Sequence, residues 1–194
     1  MSRFTVYGSR HFLMSDVYVA ESGIHGVGVF AAREFAAGET VLVMDDSRVV
    51  DEEHPLRPEL GEYDYHCDYL EGGRVVLQGF PERHVNSSCD PNAYARRGGG
   101  EGVVVARRRI RAGEEITCDY IIDCHGGIVW RCNCGSPRCR RVVPSSFFEL
   151  PAETQLEYLP LLNDWFVAEH AEEVEALRRL AEGGARGADD ASKV

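Results

Sequence analysis

The chain has 194 residues, 44% hydrophobic and 27% charged, which suits one domain with a core and appendages and excludes wholesale disorder. Lys and Arg total 21 against 32 Asp and Glu; the net charge of −11 argues against nonspecific nucleic-acid binding and suits a basic partner, or plain solubility. Arg3, Arg10, His11 and Asp16 break up the N-terminus before an apolar run of signal-peptide length builds. No stretch reaches the ~18 apolar residues of a membrane span, so an intracellular protein without a membrane segment is expected.

From residue 17 the pattern is one of short strands separated by glycine-centred turns. "VYVAES" alternates, "GVGVFAA" is small and β-prone, "ETVLVM" is apolar, "RVVLQGF" and "GVVVARR" read as half-buried strands, and "EEITCDYII" closes the series. "REFAAGETV" (33–41) and "RRIRAGEEI" (108–116) echo each other, each placing Ala-Gly at a turn, where Gly38 and Gly113 should take positive φ. "RRGGGEG" (96–102) reads as an exposed hairpin tip, and Arg107, Arg108, Arg109 and Arg111 as a solvated edge rather than a nucleic-acid site. From Pro151 the spacing of Leu156, Leu159, Leu162, Phe166, Val174, Leu177 and Ala181 predicts one or two amphipathic helices, broken near Pro160. Gly183 and Gly184 should stop them before a disordered tail. Trp165 and Phe166 should pack against the β-rich body.

Seven cysteines, an odd number in a reducing compartment, make a disulfide framework a poor explanation. "CNCGSPRC" sets Cys132, Cys134 and Cys139 within eight residues of polar loop, and tetrahedral zinc asks for a fourth ligand. Cys124 would complete a wholly local set. Cys89, in "RHVNSSCDPN", would have to arrive from more than forty residues upstream, and spacing leaves both open.

Taken in order, "GIHGVGVFAAREFAAGE", "RHVNSSCDPN", "GEEITCDY" and "CNCGSPRCR", across roughly residues 17–141, resemble the motifs of SET-domain protein-lysine methyltransferases. The resemblance implies a mainly β (α+β) chain: a β-clip fold of short sheets with a threaded pseudoknot, a post-SET zinc loop and C-terminal helices outside the match. The corresponding division is an N-terminal segment 1–16, a SET domain 17–122, a post-SET zinc segment 123–143, a helical extension 144–182 and a tail 183–194. It implies methyl transfer from S-adenosylmethionine to a deprotonated lysine amine of a basic protein or peptide. By position, Cys89 would join Cys132, Cys134 and Cys139 around a structural zinc, with Cys124 the runner-up. Tyr120 would be the catalytic tyrosine. His25, Gly26, Val27, Gly28, Asn86, Ser87 and Tyr120 would hold the methyl donor, while Cys118, Tyr65 and Tyr69 would line the lysine channel.

The chain departs from the family pattern at three places. Ser87 stands where the family has His, Cys118 where it has Tyr or Phe, and Arg141 where Gly commonly follows the last post-SET cysteine. A thiol at 118 leaves room for transfer beyond the first methyl group. Ser87 and Cys118 also suggest the alternative of a catalytically silent SET-like scaffold, and Cys118 with Cys124 a thiol redox switch. Phe147 and Phe148 fall where an aromatic lid or core packing would serve.

Overall fold

The computed structural model describes residues 13–14, 16–98 and 101–191, with side chains over 16–98 and 101–182. Most of the N-terminal segment, residues 99–100 of the predicted hairpin tip and residues 192–194 of the predicted tail lie outside the described residues. The strands are short: β1 (Leu13–Met14), β2 (Val17–Glu21), β3 (Val27–Ala31), β4 (Thr40–Val43), β5 (Val49–Val50), β6 (Cys67–Tyr69) and β7 (Val75–Leu77). They continue with β8 (Asn86–Ser87), β9 (Ala93–Arg96), β10 (Val103–Ala106), β11 (Glu115–Cys118), β12 (Trp130–Arg131) and β13 (Val142–Val143). Helices α1 (Ala152–Tyr158), α2 (Asp164–Glu169) and α3 (Ala171–Ala191) close the chain.

The strands form four small sheets, ordered β1-β2-β3-β11-β8, β4-β10-β9, β5-β7-β6 and β12-β13. All pairs are antiparallel except β8 with β11, which run parallel. The predicted valine-rich strands form, and β2, β3, β4, β10 and β11 each turn side chains onto a shared core that includes Val17, Val29, Ala31, Leu42, Val104 and Ile116. Burying each large member contributes roughly 1.5–3 kcal/mol, which offsets the ordering of such short strands.

The two echoed turns sit face to face. Phe35 and Ile110 exchange both backbone hydrogen bonds, at 2.9 and 3.0 Å, and both side chains are fully buried. Gly38 and Gly113 take φ of 84° and 83°, a region where a β-carbon would be strained.

Helices α1 to α3 pack on a second core in which Ile121, Val143, Phe147, Tyr158 and Phe166 surround Cys89 and Cys132. The helical region makes three helices rather than one or two. A 3-10 turn over Leu159–Leu161 contains Pro160, as the proline requires, and a further break falls at His170. Helix α3 runs past Gly183 and Gly184 to Ala191, so these glycines do not stop it and the chain is helical where a disordered tail was expected. Each glycine costs only about 1 kcal/mol relative to alanine, and a helix already nucleated on a packed face propagates through it. Phe166 is buried as expected, with Trp165 half-buried against the same core. Phe148 stacks on Phe166 at 5.6 Å while Phe147 meets it edge-on at 6.0 Å, so both phenylalanines are core and not a lid.

The arginine run is paired rather than free. Arg107 meets Glu157, Arg108 meets Glu114 at 2.7 Å, and Arg109 meets Glu34. Among the described residues, no helix is long and apolar enough to cross a membrane.

Candidate active site

The sulfur atoms of Cys89, Cys132, Cys134 and Cys139 lie within 4.8 Å of one another, with Cys89 and Cys132 3.6 Å apart. Tetrahedral zinc with ~2.3 Å bonds to sulfur spaces its ligands by about 3.8 Å, so the four thiols fit that ion with small adjustments. Cys124 is elsewhere, its sulfur directed at the Ser145 carbonyl 3.6 Å away. Geometry therefore separates the two candidates that spacing left open. The cluster is held by the β12–β13 hairpin, whose strands bracket three of its cysteines. Arg141, in the position where glycine was noted as usual, adopts φ of 65°, which explains that preference. Its carbonyl accepts the Cys132 N–H at 2.9 Å, and this bond holds the strained residue in place.

The second assembly centres on residues 85–87. Strand β8 lies parallel to β11, with Asn86 opposite Thr117 and Ser87 opposite Cys118. The Tyr120 hydroxyl donates to the Val85 carbonyl at 2.6 Å, and the Tyr120 N–H donates to Ser87 Oγ at 3.3 Å. Asn86 Nδ2 lies within 3.2 Å of four acceptors: Ser22 Oγ, the carbonyls of His25 and Val27, and Glu115 Oε1. Three consecutive residues thus join the tyrosine to the 22–28 loop. Ser87 lacks an imidazole, but its hydroxyl takes up a backbone donor of the tyrosine that sequence reasoning could not assign to it. Further along, Asn92 brackets β11, accepting the Thr117 N–H at 2.9 Å and donating to the Glu115 carbonyl at 2.8 Å. That accounts for the asparagines around Cys89: they satisfy backbone groups a short parallel strand leaves open.

His25, Gly26 and Val27 form an exposed loop, with Gly26 at φ of 49°. Gly28 is buried, and a β-carbon built there would sit 2.2 Å from Glu115 Oε1 and 3.2 Å from Asn86 Nδ2. The demand for glycine at 28 thus comes from the protein's own packing.

On the other side of β11 a cavity of about 1040 Å³ opens, lined by Tyr65, Cys67, Tyr69, Cys118, Tyr120 and Trp130. Its size suits a ligand-binding pocket. Tyr65 and Tyr69 are 70% and 66% exposed, so they stand at its mouth rather than in the core. Tyr120 shows its ring to the cavity, while burial of its hydroxyl end, with Cys118 and Asp68 nearby, pushes the phenol well above its ordinary range. It stays protonated. Burial and the neighbouring Asp119 push the Cys118 thiol up to about 12, so it too stays neutral and is a poor nucleophile, which disfavours a redox switch there.

Sequence reasoning missed the wall that the helical extension contributes. Asn163, Trp165, Phe166 and His170 line the same cavity. Asp123 also lines it, accepting the Asn163 N–H at 2.8 Å and Asn163 Nδ2 at 2.5 Å, while Asn163 Oδ1 accepts the Arg97 N–H at 2.7 Å. Burial raises Asp123 from 3.8 to about 7, against the opposing pull of the Asn163 donors. A carboxyl whose folded pKa lies above its unfolded one stabilises the fold fully below pH about 4, and that contribution is lost as pH rises through about 7. His84, which burial holds at about 4, and His66, which burial also lowers, act in the opposite sense as pH rises through the ordinary histidine value of 6.5, so Asp123 is isolated by comparison with Asp123→Asn. The urea-unfolding stability of the wild type relative to Asp123→Asn is therefore expected to fall by about 1 kcal/mol between pH 6.5 and 8; a flat or rising difference would refute the assignment.

These features define a class: a β-rich domain whose parallel strand pair holds a tyrosine hydroxyl between a tight loop and a cavity, with a four-thiol cluster on the segment that follows. Residues 26–121 match the SET domain family. Human histone-lysine N-methyltransferase 2B is 36% identical over 141 residues, 64% of this chain and 5% of that protein. The H3 lysine-36-specific histone-lysine N-methyltransferase of Candida glabrata is 29% identical over 138 residues, covering 64% and 19% of the two chains. Drosophila virilis trithorax, also a histone-lysine N-methyltransferase, is 31% identical over 138 residues, covering 64% and 4%. The chain thus spans a fifth or less of the length of these relatives. A solved Plasmodium falciparum protein overlays 56% of this chain and 95% of its own at 20% identity, with a TM-score of 0.44.

Proposed function

We propose that the chain is an S-adenosylmethionine-dependent protein-lysine N-methyltransferase, acting inside the cell on a basic, lysine-containing protein. The observation that carries this reading is the 85–87 bridge, which sets Tyr120 between the His25–Gly28 loop, proposed to hold the methyl donor, and the cavity, proposed to admit the lysine. Donor and acceptor would then approach from opposite sides, as in-line displacement needs, and alignment alone can supply several kcal/mol. When bound, the donor supplies an electrophilic methyl on a positively charged sulfur.

The chain's own groups do the rest. Only about one lysine in a thousand is neutral near pH 7.4, and the walls of Cys118, Tyr120 and Trp130 disfavour the ammonium through desolvation. A neutral phenol serves here as a hydrogen-bonding group and not as a base. With its proton committed to Val85, the hydroxyl presents lone pairs to the polarised methyl, where weak C–H···O contacts steady the transfer. The four cysteines would hold zinc as a structural clamp. The cavity carries Asp64, Asp68, Asp123 and Glu169 against Arg97, itself paired with Asp46 and Asp68, which supports a basic substrate, as do the histone names of the relatives. At 118 the thiol leaves space for a second methyl.

The test is label transfer from radiolabelled donor to a mixture of basic proteins, followed by mass spectrometry of the product. Transfer is expected, with species beyond monomethyl-lysine. Tight donor binding without transfer would favour the silent scaffold, and monomethyl-lysine alone at long times would refute the role given to Cys118.

Gly28→Ala tests the loop. The new methyl would displace the Glu115 carboxylate from Ser22 Oγ and Asn86 Nδ2, each 2.8 Å away, at a cost of about 1–3 kcal/mol in stability. Donor affinity measured by calorimetry should fall about tenfold for each 1.4 kcal/mol the loop loses in its binding conformation. Unchanged affinity would remove the loop from the donor site.

A further inference from the structure

The last two residues of α1, outside the matched SET domain, tie the thiol cluster to the strand end that carries Tyr120. Tyr158 is fully buried; its hydroxyl donates to Asp119 Oδ2 at 3.1 Å and lies 3.5 Å from the Cys89 carbonyl. Asp119 stands between Cys118 and Tyr120 with no side-chain exposure, and its other oxygen accepts the Arg140 guanidinium at 2.7 Å. The Arg140 N–H points at Cys89 Sγ, 3.5 Å away. Glu157 accepts Arg138 Nη1 at 3.0 Å and also pairs with Arg107, whose own N–H donates to the Asn92 carbonyl at 2.8 Å. Arg138 and Arg140 flank Cys139. One helix end therefore grips both sides of the thiol loop and the carboxylate beside the tyrosine.

We infer that Glu157 and Tyr158 are positioning residues, which hold the Cys139 side of the thiol loop and the Cys118–Tyr120 strand end in one register, so that the helical extension completes the site. A buried carboxylate needs all its partners. Without the Tyr158 hydroxyl, Asp119 keeps one charged partner and loses the bond that fixes its plane, and the strain passes to Arg140 and to the cysteine it contacts. Glu157 acts in parallel from the surface.

The experiment uses the full chain, zinc-loaded, with Tyr158→Phe, which keeps the ring in its packing, and Glu157→Gln, whose side chain is 28% exposed and keeps its size. The first readout is the rate at which a chromogenic chelator strips zinc from the folded protein. The second is the split between KM for the methyl donor and kcat, and it rests on the methyltransferase reading. Both variants should release zinc about 10–100-fold faster, as outer-sphere partners of metal ligands typically do, and raise KM severalfold. A purely structural role would lower the melting temperature while leaving zinc release and KM of the folded fraction unchanged; that result overturns the inference. If Tyr158→Phe does not fold, Glu157→Gln decides it. Wild-type protein that transfers no methyl sinks the functional reading, and the zinc-release arm then judges the clasp alone.

Discussion

Tyr120→Phe is expected to lower kcat for methyl transfer by about two to three orders of magnitude while leaving zinc content and donor affinity close to wild type. The ring has room to stay where it is, along the cavity. What goes is one oxygen, bonded to the Val85 carbonyl at 2.6 Å, and with it the lone pairs proposed to steady the methyl in transfer. The stability cost is that of one neutral hydrogen bond, about 1 kcal/mol, too small to unfold the chain. Rate and binding should therefore separate: single-turnover transfer collapses, and calorimetric donor titration does not. If kcat stays within about threefold, Tyr120 does not act at the reacting atoms and the catalytic centre must be sought elsewhere in the cavity.

The largest effect on the folded state should come from Cys89→Ser. Four sulfurs from two distant parts of the chain converge within 4.8 Å, and removing the remote one leaves three ligands on a loop then held to the rest of the domain mainly through Arg138 and Arg140. Metal content should drop from one zinc per chain to well below it, and urea stability by several kcal/mol, since metal binding to such a site is coupled to folding. Methyl transfer should be lost along with them. Cys124→Ser is the control, because that thiol lies outside the cluster with its sulfur directed at the Ser145 carbonyl, and it should keep full metal. The reverse outcome in elemental analysis, with zinc lost at 124 and kept at 89, would overturn the assignment.

What could be read from the sequence, and what could not, follows from range. Valine-rich strands such as β3, β4 and β10 announce themselves as short β-prone runs between glycine turns, and Gly38 and Gly113 by the turn chemistry around them. Two-residue strands such as β5, β8 and β12 carry no periodicity at all, yet β8 is the one on which the site depends. The thiol set was legible only because three of its members are neighbours and a family resemblance supplied the fourth. Asp119, Arg140, Glu157 and Tyr158 looked like ordinary surface or helix residues. Nothing local marks Asp119 as buried, and its partners lie 21 and 39 residues away. Gly183 and Gly184 misled for the opposite reason: a strong local signal for a helix end was overridden by a helix already anchored at Val174 and Leu177.

Cys89 leaves the ribosome 43 residues ahead of Cys132 and 69 ahead of Tyr158. The nascent chain therefore displays the motif around Cys89 well before Cys132 and Tyr158, which close over it, have been made. Contacts of such long range slow folding, and a half-made sheet with an unsatisfied thiol invites the wrong neighbour. Maturation of this protein is thus a late event, set by when the segment from Cys132 to Tyr158 emerges and, on the proposed zinc reading, by whether the metal is at hand at that moment.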